Sequence, residues 1–217
     1  MRKTSAYIVR ALILFAVFAI FTFFVMSFDV KAVGPFFSEV GFAGLNQWAL
    51  GFFGHSNAWY DVSQILGYLA LAVCVCFACV GCYQLFSGRG IKAVDRGIWA
   101  TGLLYVLLAV FYLFFDKVLV VNFRPVPGEA AVLAPSYPSS HTVLGVCVFL
   151  AASDQIGKLV ENHVLGTILS ILCWLAAVTA VVSRLLSGVH WLTDIIGSLI
   201  LSAALLCIYI GAAGNKK

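Results

Sequence analysis

Three groups of polar residues interrupt a chain that is otherwise apolar. Lys117 stands among Phe114, Phe115, Val118, Leu119, Val120 and Val121, and Arg124 and Pro125 follow seven residues later. Pro138, Ser139, Ser140, His141 and Thr142 open the next apolar stretch, and Ser183 and Arg184 end a later one. His190 lies six residues beyond Arg184, and Asp194 four beyond His190. Ionisable side chains within or at the edge of apolar spans are costly and mark functional positions by default. Three cations, two histidines, a carboxylate and a helix start suit a phosphoryl group, whose transfer is catalysed mostly by positioning and electrostatic stabilisation of its equatorial oxygens. Arginine offers planar bidentate donors to such oxygens and lysine a point charge. A serine placed to cap the helix beginning at the Ser139-Ser140 pair leaves free backbone N–H groups pointing outward. Two histidines can divide the remaining work, one attacking phosphorus and the other protonating the leaving oxygen. His190 and Asp194 are spaced i, i+4, so on a helix the carboxylate can accept the imidazole N–H and free the other nitrogen for attack.

Taken singly, each of these residues has a plainer reading. Lys117 can pair with Asp116 or extend to the membrane surface, and Arg184 can do the same from a helix end. His190 and Asp194 can be an ordinary helix-start pair, and Pro125 and Pro138 normal loop punctuation. His55 and His163 fit no pattern and are read as structural.

The elements that must bring these groups together are membrane spans. Of 217 residues, 63% are hydrophobic and 10% charged, and the mean hydropathy is +1.05. Soluble domains carry roughly 25% charged residues, so this composition belongs in a bilayer. It also excludes a nucleic-acid binder, because the net charge of +4 is spread without a basic run. A helix needs about 20 residues to cross the hydrocarbon core. Uncharged runs at 11–28, 62–88, 97–115, 164–183 and 195–214 meet that length, and a shorter one from 141, continued past Asp154 to about 159, completes six. The expected fold is an all-α integral membrane protein, a single domain over 1–217 built as a six-helix bundle. The first span is too long for a cleaved signal peptide and is followed by no A-x-A site.

Lysine and arginine set the orientation. With both termini in the cytoplasm, Arg2, Lys3, Arg10, Arg89, Lys92, Arg96, Lys158, Lys216 and Lys217 fall inside, nine of the thirteen bases. Segments 29–61, 122–140 and 187–190 then face outward, and all three polar groups share that side of a cell membrane. Within the first, Phe42, Leu45, Trp48, Ala49, Phe52 and Phe53 recur at helical spacing, which predicts a helix lying in the interface. Trp48, Trp59 and Trp191 are placed for an aromatic belt. The segment 122–140 holds four of the five prolines and so resists regular structure; Gly128, Glu129 and Tyr137 give it a possible part in head-group selection. Cys74, Cys76, Cys79 and Cys82 form a C-x-C-x2-C-x2-C run, but a helix cannot aim all four at one centre, and they are read with Cys147, Cys173 and Cys207 as small buried hydrophobes.

Lys117-x6-Arg124-Pro125, Pro138-Ser139-Ser140-His141 and Ser183-Arg184-x5-His190-x3-Asp194 together resemble the three-part signature of the type 2 phosphatidic acid phosphatase (PAP2) family. Ten positions matching in order have a chance probability on the order of 10⁻¹³ per placement. The resemblance implies that His190 is a nucleophile forming a phosphohistidine, that Asp194 orients it, and that His141 is the general acid and then the base. It implies that Lys117, Arg124, Arg184, the Ser139 hydroxyl and the Ser140 backbone N–H hold the phosphoryl oxygens, with no metal and no cofactor. Ser140 stands where many members have glycine, which keeps the backbone donor and tightens the pocket. The implied substrate is a lipid phosphate or diphosphate in the bilayer: phosphatidate, phosphatidylglycerophosphate, undecaprenyl diphosphate and lipid A phosphates all fit. Two alternatives remain at this level, a lipid phosphotransferase and a lipid-phosphate binder or transporter in which the cage only recognises its ligand.

Overall fold

The computed structural model describes residues 2–87, 90–126 and 133–214. Arg89, Lys216 and Lys217, which enter the orientation argument, and Pro127, Gly128 and Glu129 of the proline-rich segment lie outside the described residues. Seven α-helices follow in order: α1 (Arg2–Ser27), α2 (Ala43–Phe53), α3 (Asn57–Phe86), α4 (Arg96–Leu113), α5 (Ser140–Leu159), α6 (His163–Leu186) and α7 (Leu192–Ala213). Among the described residues, all but the short α2 are long and apolar enough to cross a membrane. The six-span bundle with an additional helix in the first connection is therefore the fold, and the short span beginning at Ser140 does run through Asp154 and Lys158 to Leu159.

Local chemistry sets the helix ends. Asn162 caps α6, its Oδ1 accepting from the N–H groups of Val164 and Leu165 at 3.0 Å each. α4 does not stop cleanly but passes into a π-turn, Phe114–Val118, at the end of the bundle where the polar residues gather. At the other end, Arg96 donates to the carbonyls of Gly211 and Ala212, placing a cation on the last turn of α7. The charges inside α5 are also partnered there: the Tyr209 hydroxyl donates to Asp154 at 2.6 Å, and Lys158 bonds the same carboxylate. The Asp154 carboxylate, its side chain 40% exposed, is thus hydrogen-bonded and paired at that end of α5.

α5 and α7 form the interior of the bundle. α5 packs on α3, α4, α6 and α7, while α1 and α4 cover α7. The core joins Leu104 and Leu108 of α4, Val143, Cys147 and Phe149 of α5, and Leu201, Leu205 and Tyr209 of α7. Near the polar end, Phe18, Phe115 and Tyr137 pack ring on ring at centroid separations of 5.7–6.1 Å, and the Tyr137 hydroxyl is 2.7 Å from Thr22 Oγ1. Tyr137 thereby fixes the segment that leads into α5.

Two expectations are corrected. Trp191 is buried, its indole N–H donating to the Phe123 carbonyl at 2.7 Å, because it closes the start of α7 instead of joining a belt. Cys76, Cys79 and Cys82 lie on the uncovered face of α3, while Cys147 is buried. Their i, i+3 spacing keeps them on one side of the helix, the side α5 and α6 do not reach.

A Cβ on Gly197 of α7 would lie 2.6–2.8 Å from the Tyr137 ring and hydroxyl. Alanine raises helix propensity by ~1 kcal/mol over glycine, yet here overpacking of ~1–3 kcal/mol is the larger effect. Gly197→Ala is therefore expected to lower the thermal unfolding temperature in detergent.

Candidate active site

Arg184, in the last turn of α6, is the most deeply placed cation. It is 1% exposed, and its guanidinium reaches across the bundle. One Nη donates to Ser63 Oγ of α3 at 2.9 Å, the other lies 2.8 Å from His141 Nδ1 of α5, and the group sits 5.6 Å from the Tyr60 ring centroid. Guanidinium can only donate, so His141 Nδ1 is the acceptor and the proton of the neutral ring resides on Nε2. That edge of the ring faces α3 at Gly67, where a Cβ would come within 2.9 Å of the imidazole. Glycine leaves the ring room to present Nε2.

His190 lies in the turn between α6 and α7, one residue before the Trp191 cap, and Asp194 in the first turn of α7. The two are not on one helix, because the chain bends at Ser187–Gly188, where Gly188 takes φ +66°. His190 Nδ1 is 3.5 Å from Asp194 Oδ2, so the carboxylate faces the ring at a distance longer than a close hydrogen bond. The fully buried carboxylate spends its acceptors elsewhere: Oδ2 takes the Trp191 N–H at 3.0 Å, and Oδ1 the Asn122 Nδ2–H at 3.2 Å. Asp194 thus orders the backbone around His190 as well as facing its ring. Burial pushes the His190 pKa down to about 4; Asp194 opposes the shift, and Arg184 and Arg124 add to it. Burial thus favours the neutral ring through the physiological range.

The remaining residues divide. Ser140 and His141 at the start of α5 and Arg124 after the π-turn line the same cavity as His190. Arg124 is held by its backbone N–H to the Ala134 carbonyl at 3.0 Å, and its Nε has no hydrogen-bond partner among the described residues. Ser139 is the N-cap of α5 but makes no side-chain cap bond. Its hydroxyl oxygen accepts from Thr142 Oγ1 at 3.0 Å, and its backbone bonds α7, the carbonyl accepting from Ser198 and the N–H donating to the Asp194 carbonyl. Ser139 therefore joins the starts of α5 and α7. The first-turn N–H groups of α5, which a helix cannot satisfy itself, stay unclaimed by a cap at the cavity end. Lys117 is not brought into the cluster: its ammonium is 2.8 Å from Asp116, its side chain is 73% exposed, and Asp116 is the member of the pair on the cavity wall. Sequence reasoning did not find Ser63, Tyr60 or Asn122; Ser63 and Tyr60 lie in or beside an apolar run without a motif around them, Asn122 is one of the unspecified positions between Lys117 and Arg124, and only the fold shows their partners.

The cavity encloses about 730 Å³. Arg124, Ser140, His141 and His190 form its polar end, and Leu71, Cys74, Leu108, Phe111 and Leu144 continue it between α3 and α4. From Gly67 beside His141 to Cys74 it follows seven residues of α3, a depth of about 10 Å at 1.5 Å per residue.

A basic, histidine-bearing pocket at one end of six apolar helices defines a multi-pass membrane protein whose polar pocket opens into its own hydrophobic interior. The model of the PAP2 superfamily matches residues 99–217, more than half of the chain, and the protein belongs to that superfamily. No curated protein sequence matches it. Among solved structures it is similar to the first transmembrane PAP2 type phosphatidylglycerolphosphate phosphatase from Bacillus subtilis, with a TM-score of 0.55 and 20% identity over 91% of this chain and 93% of that one. At that identity the likeness shows the fold.

The depressed basicity of His190 sets the acid side of any reaction it carries. A histidine of ordinary pKa loses its neutral form as pH falls through about 6.5, whereas one held near 4 stays neutral until that lower pH. The acid limb of kcat/KM is therefore expected near pH 4, read from a rate profile in detergent; a limb at 6.5 contradicts this burial.

Proposed function

We propose that the protein hydrolyses the terminal phosphate ester or diphosphate of a membrane lipid through a phosphohistidine on His190. The observation that carries this reading is the continuity of the polar pocket with the apolar cleft between α3 and α4, which matches a molecule with a phosphate at one end and a hydrocarbon tail at the other. Superfamily membership and the phosphatase named for the similar fold support the same reaction class.

In this mechanism a His190 ring nitrogen attacks phosphorus, the bond from phosphorus to the lipid oxygen breaks, and His141 Nε2 protonates that oxygen. Water then attacks the phosphohistidine, His141 takes its proton, the N–P bond breaks and phosphate leaves. To act as an acid, His141 must carry protons on both nitrogens, so Arg184 has to give up Nδ1. A phosphoryl oxygen, being anionic, is the stronger acceptor for the guanidinium. Substrate binding thus both recruits Arg184 and frees His141 for protonation. Arg124 and the Ser140 N–H complete the oxygen cage, with the Ser139 hydroxyl beside them. Lys117 is the third cation, which requires it to exchange Asp116 for a phosphoryl oxygen. The rate is bell-shaped in pH, since neutral His190 and charged His141 must coexist.

The site faces the outside of the cell membrane in this reading. Lys92, Arg96 and Lys158 lie at the opposite end of the bundle, and such bases are retained on the cytoplasmic side. α2, beside the pocket, then lies in the outer interface.

Phosphate release from phosphatidate, phosphatidylglycerophosphate and undecaprenyl diphosphate in detergent, with chelator present, tests the assignment. Wild type is expected to turn over at least one of them, and His190→Ala to lose ~10⁴-fold or more, the scale seen when a nucleophile is removed. Equal rates in the two proteins would exclude His190 as nucleophile. Phosphate recovered on an acceptor lipid instead of free in solution would mark a phosphotransferase.

A further inference from the structure

α2 lies outside every motif that marks the site, yet one of its side chains is among the most completely buried in the molecule. Asn46 is 0% exposed. Its Oδ1 accepts from the Thr193 backbone N–H at 3.1 Å, and its Nδ2 donates to Thr193 Oγ1 at 3.0 Å and to the Gly41 carbonyl at 2.8 Å. Thr193 is the second residue of α7, and its N–H is one of the four that a helix start cannot satisfy. A side-chain acceptor at the N-cap normally takes one of these donors. The N-cap here is Trp191, whose indole can only donate and is committed to the Phe123 carbonyl. Asp194 is occupied with the Trp191 N–H. The acceptor for Thr193 therefore comes from a residue 147 positions away in the chain.

The other end of α2 touches the same turn. Ser56 N–H donates to the Ser187 carbonyl at 3.4 Å, and a Cβ on Gly188 would lie 2.4 Å from the Gly54 carbonyl. Contacts from the α2 segment thus fall on both sides of His190, at 187–188 and at 193. Among the described residues the His190 ring has no close hydrogen bond, only Asp194 at 3.5 Å, so its position depends on the backbone of that turn. On its opposite face α2 exposes Leu45, Trp48 and Phe52, with the two aromatic rings stacked at 5.7 Å, a face suited to the bilayer interface.

We infer that Asn46 is a positioning residue for the nucleophile: a helix cap supplied from the interfacial helix that holds the His190 turn in register with the phosphoryl cage. This rests on the assignment of His190 above. Asn46 touches neither the cavity nor any group that holds phosphate, so its loss acts on the attacking nitrogen and leaves the anion cage intact.

The test uses the full chain in detergent, as wild type, Asn46→Ala, Thr193→Val and the double variant. Phosphate release from the lipid phosphate that wild type hydrolyses gives kcat and KM, and competition by inorganic phosphate reports the cage. A displacement of about 1 Å at a reacting atom costs ~10²-fold, and that is the expected fall in kcat for Asn46→Ala, with KM and the phosphate inhibition constant near wild type. Thr193→Val removes one side-chain bond and is expected to cost ~5-fold. The double variant is expected to match Asn46→Ala, since both changes break one contact. Wild-type kcat in Asn46→Ala, a parallel loss of phosphate inhibition, or effects that multiply in the double variant would each overturn the inference. If Asn46→Ala does not fold, Thr193→Val decides alone, and an unchanged kcat overturns it. A wild type inactive on every lipid phosphate removes the phosphatase reading, and this inference with it.

Discussion

A guanidinium cannot sit inside a bundle of apolar helices without partners, and the disposition of Arg184 organises the site around that demand. Burying a charge is tolerated only where hydrogen bonds and aromatic faces replace water. Ser63 and Tyr60 of α3 and His141 of α5 supply those replacements, so two helices are drawn to one point by one side chain of α6. The same bond fixes the His141 tautomer. In the proposed reaction the cage is thus charged and ordered before a phosphoryl group arrives, which is how electrostatic stabilisation is preorganised.

The second half of the site is built on α7 by backbone capping. Asp194 and Asn46 each answer an N–H at the start of α7, and Asn122 and Ser139 tie that start to the segment after the π-turn and to α5. His190 is carried by this scaffold without a close hydrogen bond of its own. A buried neutral imidazole whose ring is not tied to a neighbour keeps its unprotonated nitrogen available, and its low basicity follows from the same burial. The apolar cleft adjoining it needs no specific chemistry, only a gap between α3 and α4 lined by side chains such as Leu71 and Leu108.

Much of this was legible in the chain. Long uncharged runs define spans by length alone, because a bilayer admits few other solutions, and even the short span through Asp154 followed from the need to return the chain across the membrane. The helix in the first connection showed in the periodicity of Phe42, Leu45, Ala49 and Phe52. His141, His190, Arg124 and Arg184 were marked by ionisable chemistry in apolar surroundings, and the structure brings them together. The parts that were not legible depend on contacts between distant segments. Nothing near Asn46 or Ser63 distinguishes them from ordinary polar residues at a helix surface, since their partners are 147 and 121 positions away. The i, i+4 spacing of His190 and Asp194 suggested one helix, but Gly188 turns the chain and α7 starts only after Trp191. Lys117 shows the limit of a motif: its place in the sequence is that of a phosphate ligand, while its ammonium lies against Asp116.

The central claim is that phosphorus is transferred to His190. Rapid acid-free quenching of the protein turning over a radiolabelled lipid phosphate, followed by digestion and peptide mapping, reads this directly. The account predicts label on the peptide containing His190, stable in alkali and lost in acid as a phosphoramidate is, and formed at the rate of turnover or faster. Turnover with no label on the protein, or label on another residue, would contradict it.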